Sequence, residues 1–139
     1  MIIGIGNDIV NIDRIRNLID RFGDRFIERI FTCEERLKAD SSMLRTAVYA
    51  KRFAAKEAAW KALGDGKRLG IKWTELSVLN AKSGKPILRM TGKAAEILNS
   101  LMPPGMVPRL DLSLSDEPPV AQAFVVISAK LSEHATLRK

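Results

Sequence analysis

The chain is 139 residues long and carries 23 Lys and Arg against 16 Asp and Glu, a net charge of +7. That length suits one domain with its own core, and the basic balance favours an anionic partner: nucleic acid, membrane, phosphorylated ligand or acidic protein. A lone cysteine, Cys33, and a lone histidine, His134, exclude an internal disulfide framework, a structural zinc cluster and a Ser-His-Asp or Cys-His device.

In chain order, Met1–Gly6 reads as a short buried strand that Asn7 and Asp8 end, with Gly4 and Gly6 admitting another backbone or a ligand at close range. Ile12, Ile15, Ile19, Phe22 and Phe26 recur at helical spacing, with Gly23 as an interruption. Thr32 and Glu35 have capping-box spacing for a helix starting at Cys33. Ser41 or Ser42 caps a longer helix running to about Leu63, stopped by Gly64. Strands follow over Trp73–Leu79 and Pro86–Met90, then a helix from Thr91 that ends before Pro103. Leu110, Leu112 and Leu114 alternate with polar residues as a half-buried strand, and Ala121–Ile127 suits a central strand beyond a turn at Asp116–Pro119. The expected fold is α+β, a mostly antiparallel sheet with helices packed on one side. It forms one domain over residues 1–128, followed by a loose polar tail, 129–139. With no signal peptide and no apolar run of about 18 residues, a cytoplasmic protein that does not enter a membrane is expected.

The richest stretch chemically is Lys51–Lys61. Phe53, Glu57 and Lys61 fall on one helical ridge, while Ala54, Ala55, Ala58 and Ala62 form a small-residue face able to approach a sheet. Between Met43 and Arg68 seven basic residues surround two acids, Glu57 and Asp65. Glu57 and Lys61 also have the spacing of an ordinary helical ion pair, and Asn7-Asp8 also reads as a plain polar turn. Taken together, Asp8 and Glu57 fit Mg²⁺, which takes one or two carboxylates and completes its shell with water and phosphate oxygens. Phosphoryl transfer needs mainly positioning and charge stabilisation, and it remains open to a chain without usable His or Cys. Gly64, Gly66 and Gly70 follow a helix and do not form a P-loop; they read as a helix stop and connector, or as a basic loop over a phosphate. Arg14, Arg21 and Arg25 lie within about 40° on a helical wheel beside Leu18. They form either a partner-binding ridge or a solvated face balanced by Asp13, Asp20, Asp24 and Glu28.

Gly4-Ile-Gly-Asn-Asp8 with Asp13-Arg14-Ile15, and Arg52-Phe-Ala-Ala-Lys-Glu-Ala-Ala-Trp-Lys61 at its distance from Asp8, closely resemble the holo-[acyl-carrier-protein] synthases. These are the small phosphopantetheinyl transferases; Gly84-Lys-Pro86 and Leu112-Ser-Leu-Ser115 add support, and the likeness covers Met1 to about Ile127. The resemblance implies transfer of 4′-phosphopantetheine from coenzyme A to a serine of apo acyl carrier protein, with release of 3′,5′-ADP. It makes Asp8 and Glu57 the Mg²⁺ ligands, Glu57 and Lys61 the catalytic pair, and Arg52, Lys61 and the Gly64 loop the coenzyme A contacts. Arg14, Arg21 and Arg25 become the dock for the acidic carrier, which accounts for the charge without nucleic acid. It further implies a homotrimer with sites between subunits, in fatty acid biosynthesis. Asp116 departs from the family, which usually has His there, near the diphosphate; a negative charge at that place calls for a compensating metal or lysine. Two rival readings stand beside this one: a basic nucleic-acid-binding module, for which only eight aromatics are present, and an Mg²⁺-dependent phosphohydrolase of coenzyme A-like diphosphates.

Overall fold

The computed structural model describes residues 1–64 and 69–133. Strand β1 (Ile2–Asn11) leads into α1 (Ile12–Phe22), α2 (Asp24–Ile30), α3 (Cys33–Asp40) and the long α4 (Arg45–Leu63). A single 3-10 turn (Trp73–Glu75) precedes β2 (Leu76–Asn80) and β3 (Pro86–Met90), then α5 (Gly92–Ser100), β4 (Met106–Glu117) and β5 (Val120–Leu131). All pairing is antiparallel, in a three-stranded sheet ordered β1-β5-β4 and a separate hairpin of β2 and β3. The α+β expectation therefore holds, with the sheet divided in two.

Helix α4 covers one face of the three-stranded sheet, where Val10, Leu112, Ala121, Ala123, Val125 and Ile127 are buried. The strand period sends the alternate residues outward. On that outer face Ile5, Ile9 and Phe124 remain 53%, 60% and 41% exposed. Helices thus lie on one side only. On the flank of α4 away from the sheet, Trp73 stacks on Phe53 and meets Trp60 at 3.8 Å between ring centroids. Phe26, Phe31 and Tyr49 continue this aromatic cluster.

Several boundaries differ from the sequence reading, each for a local reason. β1 does not stop at Asn7-Asp8: both residues stay in the ladder, opposite Phe124 and Ala123. Asp8 therefore lies within the strand and not beyond its end. Helix α4 begins at Arg45, not after Ser41 or Ser42, because the Ser42 hydroxyl accepts from the Leu44 amide and closes a preceding turn. Trp73–Glu75 is helical and not extended, drawn into the aromatic cluster. β5 continues to Leu131, so Ala129, Lys130 and Leu131 belong to the sheet and not to the tail; Ala129 is buried and its amide donates to Met1 O. Of the rest of the proposed tail, Ser132 donates its amide to the Gly105 carbonyl and 134–139 fall outside the described residues, as do Asp65, Gly66, Lys67 and Arg68 of the basic loop. Gly23 does break the first helix, and the Thr32–Glu35 capping box is present in full.

Candidate active site

Two glycines set the distance between β1 and α4. A Cβ on Gly6 would lie 1.7 Å from the Ala58 carbonyl oxygen, and one on Gly4 would lie 2.0 Å from that of Ala62. What approaches these glycines is thus the helix backbone itself, through the alanine face. Two strand residues advance about 6.7 Å and four helical residues about 6 Å, so strand and helix keep step. The next inward position after Gly4 and Gly6 is Asp8, which falls level with the turn Ala54–Ala58 that carries Glu57.

Lys61 closes this corner. Its ammonium donates to Asp8 Oδ1 at 3.1 Å and to the Asn7 carbonyl at 2.9 Å, on the free edge of β1. The Asp8 side chain is 11% exposed, whereas Lys61 is 56% exposed and presents a cation to solvent above a sheltered carboxylate. Among the described residues no cluster of three metal-ligating side chains exists. Asp8 on β1 and Glu57 on α4 are the carboxylates of the two elements that meet here, and a pair of hard oxygen donors of this kind suits Mg²⁺ completed by water and phosphate oxygens.

The other predicted contacts are distributed more widely. Arg52 is buried and does not join Lys61: its Nη2 donates to Asn80 Oδ1 at 2.8 Å, and Asn80 Nδ2 donates to the Gly84 carbonyl at 3.0 Å. Burial pushes the Arg52 guanidinium below its ordinary value, and among the described residues its Nε has no hydrogen-bond partner. Gly64 ends α4 at φ +97° with its amide donating to the Lys61 carbonyl. Arg14, Arg21 and Arg25 do not form one helical ridge, because Gly23 separates Arg25 onto α2. Arg14 and Arg21 line a hollow with Leu18, and Arg25 and Arg29 rim a second with Phe22 and Phe26 that shares Leu18. All three arginines are exposed and, among the described residues, outside any ion pair; Asp13 is taken by Arg16.

Residues 4–101 match the model of the 4′-phosphopantetheinyl transferase superfamily. The chain belongs to that family. It is 54% identical over 133 residues to a holo-[acyl-carrier-protein] synthase of Rhodopseudomonas palustris (strain TIE-1), covering 93% of this chain and 91% of the relative. Among solved structures, the holo-[acyl-carrier-protein] synthase of Neisseria meningitidis superposes with a TM-score of 0.81 at 38% identity, over 92% of this chain and 99% of the other. A Bacillus anthracis holo-(acyl-carrier-protein) synthase in complex with CoA (3′,5′-ADP) gives 0.69 at 35% identity, over 91% and 96%. The chain is accordingly a transferase enzyme, and no helix among its described residues is long and apolar enough to cross a membrane.

In this transferase the departure at Asp116 has its compensation in place. Lys51, on α4, holds Asp116 Oδ1 at 2.9 Å in a half-buried pair. A second pair escaped the sequence reading altogether. Lys56 and Glu35 are wholly buried and meet at 2.7 Å, and Lys56 also donates to the Trp73 and Leu76 carbonyls. Burial pushes the Lys56 ammonium down, and Glu35 opposes that shift. The one sequence signal is position: three residues after Phe53 and four before Trp60, Lys56 shares their helical face, where a solvated lysine does not belong.

Proposed function

We propose that this transferase moves 4′-phosphopantetheine from coenzyme A to a serine of apo acyl carrier protein, releasing 3′,5′-ADP, with Mg²⁺ held by Asp8 and Glu57. The observation that carries this reading is the exposed Lys61 ammonium over the sheltered Asp8 carboxylate, beside the turn that holds Glu57. The printed description of a family member's structure with CoA (3′,5′-ADP) supports it. The bound metal supplies charge neutralisation on the diphosphate. The serine oxygen forms a bond to the pantetheine phosphorus, the bond from that phosphorus to ADP breaks, and ADP leaves with the electron pair. Lys61 is placed to offset that developing charge, and Glu57 is the candidate carboxylate for the serine proton. Lys61, Gly64 and Arg52 are the coenzyme A contacts of this reading; because Arg52 is buried and bound to Asn80, which donates to the Gly84 carbonyl, it acts on coenzyme A through the Gly84 turn. Phe31, Tyr49, Phe53 and Trp60 are buried, which leaves little aromatic surface for base stacking.

Intact-mass analysis of apo acyl carrier protein with this protein, coenzyme A and Mg²⁺ tests the reading. A phosphopantetheine gain that EDTA abolishes is expected. Hydrolysis of coenzyme A without any carrier would favour a phosphohydrolase instead.

Arg14, Arg21 and Arg25, exposed and outside any ion pair among the described residues, around two hollows that share Leu18, fit the acidic carrier. Arg21→Glu should raise KM for the carrier about tenfold or more, with a steep salt dependence in the wild type, and leave KM for coenzyme A unchanged. An unaltered carrier KM would move the dock elsewhere.

The exposed sheet face of Ile5, Ile9 and Phe124 supports self-association; with the family resemblance, the reading is a homotrimer with sites between subunits, a cytoplasmic enzyme of fatty acid biosynthesis. Sedimentation should give three times the 15.4 kDa chain mass, and Phe124→Asp should give monomer. A monomeric wild type would remove the trimer.

A further inference from the structure

Two cations four residues apart on α4 hold the hairpin of β2 and β3 at both ends of β2. Lys56 donates to the Leu76 carbonyl at its start, while Glu35, bound to Lys56, accepts from the Val78 amide at 3.0 Å and from the Thr32 amide at 2.9 Å. Arg52 holds Asn80 at its far end. Apolar side chains of the same volume would stabilise this contact as well as a buried ion pair does, or better. They would also let strand and helix slide. Hydrogen bonds to Glu35, Trp73, Leu76, Val78 and Thr32 permit one depth only, since each requires its own distance and direction.

We infer that Glu35 and Lys56 are positioning residues for the transfer: they fix the height of the Gly84–Lys85 turn against the face of α4 that carries Glu57 and Lys61. The inference rests on the proposed transfer, in which that turn contacts coenzyme A. Neither residue touches substrate; both act through β2.

The test compares wild type with the Glu35→Gln/Lys56→Met double variant, which removes both charges and strands neither. The two tryptophans of the chain, Trp60 on α4 and Trp73 on the held segment, are in ring contact, so near-UV circular dichroism reports the spacing of helix and segment. A folded double variant should show an altered near-UV signal. Its KM for coenzyme A should rise about tenfold or more, as a misplacement of an ångström can cost, with KM for the carrier unchanged. A variant that melts earlier yet keeps the wild-type near-UV signal and coenzyme A KM would overturn the inference and leave the pair a purely structural contact. Should the double variant fail to fold, Glu35→Gln alone, which retains an acceptor for Lys56, should show a smaller rise in the same KM; no rise would equally overturn it. If the wild type itself transfers nothing, the proposed activity fails. The near-UV comparison then still decides whether the pair places Trp73.

Discussion

Turnover of apo acyl carrier protein by Glu57→Gln should fall roughly 10³-fold at ordinary Mg²⁺, with the far-UV spectrum unchanged. The amide keeps the shape of the carboxylate and its helix propensity, so α4 has no reason to shift. What disappears is one of the two negative charges in a corner that otherwise holds Asp8 and the Lys61 cation. Asp8 alone leaves the metal one protein ligand, and raising Mg²⁺ should then restore part of the rate. Wild-type turnover by Glu57→Gln would remove the residue from the metal and from proton transfer together.

Gly6→Ala should cost more than about 3 kcal/mol, which lowers Tm by about 10 °C in a chain of this size. The added methyl would meet the Ala58 carbonyl oxygen at 1.7 Å, and a backbone atom in the middle of α4 cannot turn aside as a side chain can. Helix and strand must separate, and activity should fall along with stability because the separation divides Asp8 from Glu57. Gly23→Ala provides the control: nothing lies within 4 Å of its Cβ, but φ is +55°. Only the backbone opposes it, at φ +55° and ψ −133°, an extended positive-φ conformation that glycine alone adopts readily, at about 1–3 kcal/mol, and turnover should persist. Equal effects in thermal melting would show that close approach is not what Gly6 provides.

These two sites mark the difference between what sequence pattern reveals and what it hides. Helical spacing, the Gly23 break and the Thr32–Glu35 box are local, and each is found where periodicity or capping places it. The extent of β1 is not local. A polar pair reads as a strand end, yet Asp8 and Asn7 are held by a partner strand more than a hundred residues away. Glu35 fails differently, because its visible role as a helix cap is correct but incomplete. Its second carboxylate oxygen and its pairing with Lys56 bridge 21 to 43 residues of chain. Charges in a sequence read as solvated until packing shows what covers them. Lys51 and Asp116 repeat the pattern: the resemblance flagged the aspartate, and only the fold supplied its lysine.

The order β1-β5-β4 also bears on how the molecule is made. The strand that carries Asp8 precedes Val120–Leu131, its one sheet neighbour among the described residues, by more than a hundred residues. Until Val120–Leu131 has been made, the alanine face of α4 lacks the central strand of its sheet, and the corner around Asp8 lacks its support. Contacts of such long sequence range form slowly. Asp8 is thus set in its ladder only by a strand that lies more than a hundred residues further along the chain.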